Sequence, residues 1–317
     1  MPDCQKAGWL VERGIGETRL VLVEDGEIVE ARIHLEGVAR AGSGRQAVLK
    51  SARTPAVAVA DGQEYLLPKG AAGATEGQTI TIEITREAIP GAEPWKRPLA
   101  RLADSIAVPL IDGEVVAFPS PADRLAALGW LDLIEEARGG IVSFEGGELR
   151  VSPTPAMTLI DVDGRSPPCE LAMAGARAAA RAIRRHGIGG SIGIDLPTVA
   201  GKSQRLAIAE AFDEFLPQPF ERTAVNGFGF LQIVRPRPRA SLFELAADRA
   251  AFEARALLRQ VALEPAGAKR LAAHPAVAAV LERHPDWLEA LSGQMGGLVA
   301  LRSDPTLPMS GGHAEPA

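Results

Sequence analysis

Gly146-Gly147-Glu148-Leu149-Arg150-Val151-Ser152-Pro153-Thr154-Pro155-Ala156-Met157-Thr158-Leu159-Ile160-Asp161-Val162-Asp163-Gly164 and Gly189-Gly190-Ser191-Ile192-Gly193-Ile194-Asp195-Leu196-Pro197 are strand-like runs, each closing on carboxylates. Between them, Ala172 to His186 is rich in strong helix formers. Strand, helix and strand within about fifty residues suit a right-handed crossover between parallel strands. Parallel neighbours would put Asp161 and Asp195 at equivalent C-terminal ends, where open α/β sheets hold their sites. Residues two apart share a strand face, so Asp161 and Asp163 point the same way and three carboxylates can converge. Hard oxygen ligands of this kind suit magnesium, which could polarise a phosphoryl oxygen and activate a water. The competing reading is that Asp-Val-Asp-Gly and Asp-Leu-Pro only close turns.

Composition sets the frame. The chain has 317 residues, enough for two or three domains and a sizeable core, and its hydrophobic content of 46% is ordinary. Two cysteines, Cys4 and Cys169, indicate no disulfide framework and point to a reducing cytoplasm. No secretory signal and no membrane-length apolar run is visible. A net charge of −6 argues against indiscriminate nucleic-acid binding, but a local basic track is compatible with it. Arg177, Arg181 and Arg184 recur on one helical face. That row is either a solvated face or part of such a track.

Taken in order, Trp9–Glu12, Thr18–Val23 and Glu27–Ile33 form a meander, with Glu24-Asp25-Gly26 as a hairpin turn. Short β-rich runs at 46–50, 56–60, 64–68 and 79–84 suit a small barrel such as an OB-fold. Residues 88–105 are a Pro-, Gly- and charge-rich connection. Val108 to Ala117 reads as a hairpin, and Ser120-Pro121 opens a helix to about Arg138, stopped by Gly139-Gly140. Residues 202–216 form an amphipathic helix, and Arg222 to Val234 a strand, a turn at Asn226-Gly227 and a second strand. Arg235-Pro236-Arg237-Pro238-Arg239 is an extended rod whose arginines hold phosphates or stand solvated. Helices follow over 242–264, 266–274, 275–283 and 286–291, then a strand at 296–301 and a disordered tail from 309. Gly187 to Gly193 follows a helix and opens a strand, the reverse of a dinucleotide fingerprint, and Gly201-Lys202-Ser203 lacks the upstream glycine of a phosphate loop.

Residues 146–163 resemble a motif of the ribonuclease E/G family: a glycine pair, a strand, Thr-Glu-Ala, then Ser/Thr-Ile-Asp-Ile/Val-Asn. Gly189 to Asp195 resembles its Gly-Gly-Leu-Ile-Val-Ile-Asp-Phe, and Phe228-Gly229-Phe230-Leu231-Gln232-Ile233 its Phe-Gly-Leu-Leu-Glu-Met. Glu17 to Ile33 resembles its opening strands, and Glu76 to Glu87 the last strand of its inserted OB-fold. The resemblance covers about residues 9–245 with a large gap. It implies a magnesium-dependent endoribonuclease, with metal-binding aspartates at Asp161 and Asp195 and a supporting residue at Asp163, where the family has asparagine. The family's barrel phenylalanines are replaced by Ala58 and Leu66, so Tyr65 is the barrel's one aromatic, and single-strand grip depends on such rings. No 5′-monophosphate sensor fits between Lys96 and Asp112. No cysteine follows Leu242, so a zinc link between subunits is not supported.

The resulting expectation is a mixed α+β and α/β chain. It has an RNase H-like subdomain over 1–36 and 100–138, a degenerate OB-fold with its linker over 37–99, and a DNase I-like catalytic subdomain over 139–245. A small helical domain over 246–308 and the tail at 309–317 complete it. The expected activity is magnesium-dependent cleavage of single-stranded RNA in processing or decay, including that of ribosomal RNA. Asp161 and Asp195 hold the metal, Asp163 supports them, and Lys96, Arg177, Arg181, Arg235 and Arg237 meet the RNA backbone. The protein is expected to be a cytoplasmic monomer or weak dimer without a membrane or zinc-linked partner. The alternative is an RNA-binding protein that keeps the scaffold without turnover.

Overall fold

Alternating apolar residues build the strands, and alanine-rich runs with apolar residues three and four apart build the helices. The computed structural model describes residues 8–90, 96–109 and 113–316. Cys4, the Pro94-Trp95 part of the connection and the Leu110–Asp112 part of the expected hairpin lie outside the described residues. In chain order come β1 (Gly8–Arg13), β2 (Glu17–Glu24), β3 (Glu27–Leu35), β4 (Gly44–Ser51), β5 (Ala56–Ala60), β6 (Gln63–Leu67), β7 (Thr79–Arg86), β8 (Leu99–Leu102) and β9 (Glu114–Val116). Next are α1 (Arg124–Ala127), α2 (Trp130–Gly139), β10 (Ile141–Phe144), β11 (Gly147–Pro153), β12 (Thr158–Gly164), α3 (Pro168–Arg185), β13 (Gly190–Asp195), α4 (Lys202–Phe215), β14 (Glu221–Arg222) and β15 (Phe230–Arg235). The chain ends with α5 (Leu242–Ala247), α6 (Arg249–Ala262), β16 (Lys269–Ala273), α7 (Pro275–Glu282), α8 (Pro285–Met295), β17 (Val299–Ser303) and β18 (His313–Pro316). These elements divide into two compact units: Met1–Glu36, Asp112–Ile134 and Leu245–Ala317, and Gly37–Ile111 with Glu135–Glu244.

The first unit carries the meander as a sheet in the order β3-β2-β1-β9. Its β2–β3 turn uses Asp25 and Gly26 at positive φ, as a tight hairpin requires. The expected hairpin over 108–117 is corrected: β9 lies parallel to β1, with Leu10 opposite Glu114. The helix start also differs. Asp123 is the N-cap, accepting from Ala126 N at 2.9 Å, and Gly129 at φ +91° separates α1 from α2.

The residues read as a separate helical domain belong to this same unit. Ile15 enters a core formed with α6, α7 and α8, and the Trp287 ring occupies the space above Gly16. Residues 269–273, expected to be helical, are instead β16, parallel to β17 and antiparallel to β18. The tail expected to be disordered supplies β18, with His313 opposite Ala272. A buried ionic network also holds this unit. Arg19 donates to Glu12 at 2.6 Å and Glu17 at 2.8 Å, Arg255 to Glu17 at 3.0 Å, and Arg259 to both Glu12 and Asp123. The Phe118 ring lies 5.4 Å from the guanidinium carbons of Arg19 and Arg259.

In the second unit, β4-β5-β6-β8-β7 close into a barrel, with β6 and β8 parallel. The fifth strand, β8, falls inside what the sequence presents as a connection. Alanines, isoleucines and leucines fill the interior, and Tyr65 joins them at 2% exposure. The six-stranded sheet runs β10-β11-β12-β13-β15-β14, with β12–β13 as its parallel pair. Val142, Leu149, Val151, Ile160, Val162, Ile192, Ile194, Leu231 and Ile233 face α3 and α4 across a continuous core.

Candidate active site

The β12–α3–β13 crossover sets the geometry. Along β12, Thr158, Ile160 and Val162 are buried while Leu159, Asp161 and Asp163 are exposed, a strict period of two. Gly175 lets α3 approach this strand, since a Cβ there would lie 2.4 Å from Val162 Cγ1. Gly187 at φ +66° ends the helix, and Gly190 at φ +82° opens β13 against the Arg237 side chain. The return brings Asp195 beside Asp161 as its direct parallel partner. Neighbouring strands lie about 4.8 Å apart, so two carboxylates in one register on one face are close.

Asp161 is not at the strand terminus, because β12 continues to Gly164, whereas Asp195 is the last residue of β13. Register places Arg150 opposite Asp161 on the other side. Its guanidinium, however, turns to Glu148 at 2.6 Å and Asp163 at 3.3 Å. Asp163 is therefore ion-paired, while among the described residues neither Asp161 nor Asp195 forms an ion pair. The Asp161 carboxyl is held above the usual carboxylate range, first by burial, then by the negative charges of Asp163 and Asp195. A Val162 backbone hydrogen bond and the Arg150 charge only partly offset this.

These residues fit a hard divalent cation. Two hard oxygen groups with repelling charges are partnered on the exposed face of the sheet, and magnesium is typically held by one or two carboxylates plus waters and substrate oxygens. Among the described residues no group of three or more His, Cys, Asp or Glu side chains forms a ready cation cage. An open groove continues from Arg150 and Asp163 to Gly146, Arg165 and Ser166.

The cationic candidates are scattered. Arg177 and Arg181 are exposed on α3, which packs against the Val162 side of the sheet, opposite Asp161, and Arg181 lies 4.2 Å over the Phe215 ring. One backbone meeting both the carboxylates and these arginines would have to pass round the sheet. Arg235 reaches the Ile183 and Ile188 carbonyls at 3.5 and 3.4 Å, near the C-terminal end of α3. Arg237 is ion-paired to Glu244, and Arg239 faces Glu87 at 3.9 Å. The rod of arginines thus serves internal contacts rather than standing open along its length. Lys96 is half-buried beside the barrel and donates to Pro155 O at 2.7 Å.

Two features of the face have little sequence signal of their own. Arg150 and Glu148 enter it by register, and Phe230 is the cross-strand partner of Asp195. The Phe230 ring and the Leu159 side chain cover Gly193, where a Cβ would lie 2.5 Å from Phe230 Cζ. Among the described residues no helix is long and apolar enough to cross a membrane. No protein-family model matches this chain, and neither does any curated protein.

Proposed function

We propose that this protein is a magnesium-dependent endoribonuclease acting on single-stranded RNA in processing or decay. The observation that carries the reading is the Asp161–Asp195 pair, registered side by side on the exposed sheet face and, among the described residues, in no ion pair. In this reading Asp161 and Asp195 hold the magnesium. Asp163, kept by Arg150, adds negative potential beside them without having to ligate. When bound, the metal supplies Lewis-acid polarisation of a phosphodiester and an activated water. The chain's part is to fix the two carboxylates on rigid strands and to leave their face open to an extended substrate.

The architecture supports the finer fold reading as well. Barrel order first-second-third-fifth-fourth in a closed five-stranded Greek-key form suits an OB-fold. The antiparallel meander extended by a parallel strand is compatible with an RNase H-like subdomain, and the two-layer sheet bearing the aspartates with a DNase I-like one.

One observation favours a second reading, an RNA-binding protein without turnover: among the described residues no third ligating side chain joins the pair. A fluorogenic single-stranded RNA incubated with and without magnesium separates the two. Magnesium-dependent cleavage that disappears in Asp195→Asn supports the nuclease. Binding without cleavage supports the second reading, and cleavage that survives in Asp195→Asn overturns the site.

A further inference from the structure

We propose that Phe228 is a stacking platform for one nucleobase of the single-stranded RNA whose backbone lies at Asp161 and Asp195, an inference that rests on the nucleic-acid reading of the site. Phe228 is 84% exposed. Scattered surface hydrophobics are ordinary, so exposure alone says little. What sets this ring apart is the machinery that holds it out. Asn226 Oδ1 accepts from both Phe228 N at 2.9 Å and Phe230 N at 3.0 Å, and Asn226 N donates to Phe230 O at 3.1 Å. Thr198 Oγ1 donates to Phe228 O at 3.1 Å, and Leu196 N to Gly229 O at 3.2 Å. Gly229 sits at φ +93° with its Cβ position 2.1 Å from Leu196 O, a conformation no other residue fits there. The turn is therefore bonded to the segment that directly follows Asp195, and the ring has no backbone route inward.

Position gives the ring its meaning. Phe230, two residues on, is the register partner of Asp195, so the turn emerges from the site's own edge. A base stacked on Phe228 would belong to a nucleotide close to the phosphate at the carboxylates. Aromatic rings grip single strands because every base presents a π-face, whatever the sequence. Tyr65, the aromatic of the barrel, is buried in its core and cannot serve this purpose. Barrel cations are also matched by its own acids, as in Arg45–Asp61, Arg97–Glu64 and Arg101–Glu83. Among the described residues no exposed aromatic ring stands on the barrel, so the stacking function falls beside the carboxylates, and it suits a substrate with unpaired bases.

The test is a cycle between ring and base. Wild type, Phe228→Ala and Phe228→Trp are titrated with a short labelled RNA and with copies carrying one abasic nucleotide at each position in turn, with KM and kcat measured where cleavage occurs. Phe228→Ala is expected to weaken binding or raise KM about tenfold with kcat within about twofold, and Phe228→Trp to restore it. One abasic position should cost wild type the same factor and Phe228→Ala nothing more. Cleavage with additive ring and base losses, or unchanged affinity in Phe228→Ala, overturns the stacking while the nuclease stands. Coupling without cleavage keeps the stacking and removes turnover. A wild type that neither binds nor cuts RNA removes both. Loss of self-association in Phe228→Ala with RNA affinity intact assigns the ring to protein docking and overturns the proposal.

Discussion

Asp161 and Asp195 are direct partners across the parallel β12–β13 pairing, and the carboxyl of Asp161 is raised in part by the charge of Asp195. A folded-state value above the unfolded one means that folding takes up protons. The stabilising contribution is complete below the ordinary carboxylate range and is lost as pH rises through the raised value. At neutral pH the ionised group therefore weakens the fold. Asp161→Asn is expected to raise the thermal midpoint at pH 7 by about 1–2 °C and to leave it unchanged near pH 3, since the exposed site is screened by solvent. Thermal denaturation at both values checks this, and a lower midpoint at pH 7 would contradict it.

The same repulsion predicts a response to metal. A cation that binds only the folded site stabilises it by RT ln(1 + [L]/Kd), about 1.4 kcal/mol at ten times Kd. Magnesium titrated into wild type should raise the midpoint, and Asp195→Asn should abolish the increment. Asp163→Asn should keep most of it, because that carboxylate is paired with Arg150. Calorimetry across a magnesium series at constant ionic strength gives the result. An equal increment in all three proteins would show general screening.

How far this site is legible in the sequence follows from which of its signals are local. Two strand-like runs around an alanine-rich helix make the crossover legible, and parallel pairing would bring their aspartates near one another. The exact partnering of Asp161 with Asp195, with β12 running on to Gly164, is set by the fold. Partnerships made far along the chain leave no such trace. Lys269 to Ala273 carries alanines that favour helix, yet pairing on both edges with β17 and β18 makes it a strand. Glu114 to Val116 sits beside a proline- and glycine-bearing stretch that suggests a hairpin, while its partner is β1 at the start of the chain. Arg235 and Arg237 look available because prolines flank them, and only the fold shows the carbonyls and Glu244 they meet.

Arg259 illustrates the same limit and yields a stability prediction. It looks like an ordinary helix arginine, but its guanidinium donates to Glu12 and Asp123 inside the first unit. Arg259→Met leaves a buried carboxylate with reduced compensation and should cost about 3–5 kcal/mol in denaturant unfolding. Adding Glu12→Gln should recover part of that loss, because it removes the excess negative charge from the network while Arg19 keeps its pair with Glu17. A loss below about 1 kcal/mol for the single variant would mean that water replaces the arginine at little cost.

The barrel offers a prediction of opposite sign. Glu64 is held below the usual carboxylate range, chiefly by its hydrogen bond from Lys50, and it also faces Arg97 at 3.1 Å. Its charge offsets those of Lys50 and Arg97, which under the proposed function would otherwise be open to phosphates. Glu64→Gln frees them at little structural cost, since exposed ion pairs contribute about 0–1 kcal/mol. Affinity for single-stranded RNA should therefore rise at low salt, and the plot of log affinity against log salt should steepen by up to about one unit. Binding titrations from low to physiological salt decide the matter. If the slope stays unchanged, RNA does not run past this edge of the barrel, and the contact surface narrows to the sheet that carries Asp161 and Asp195.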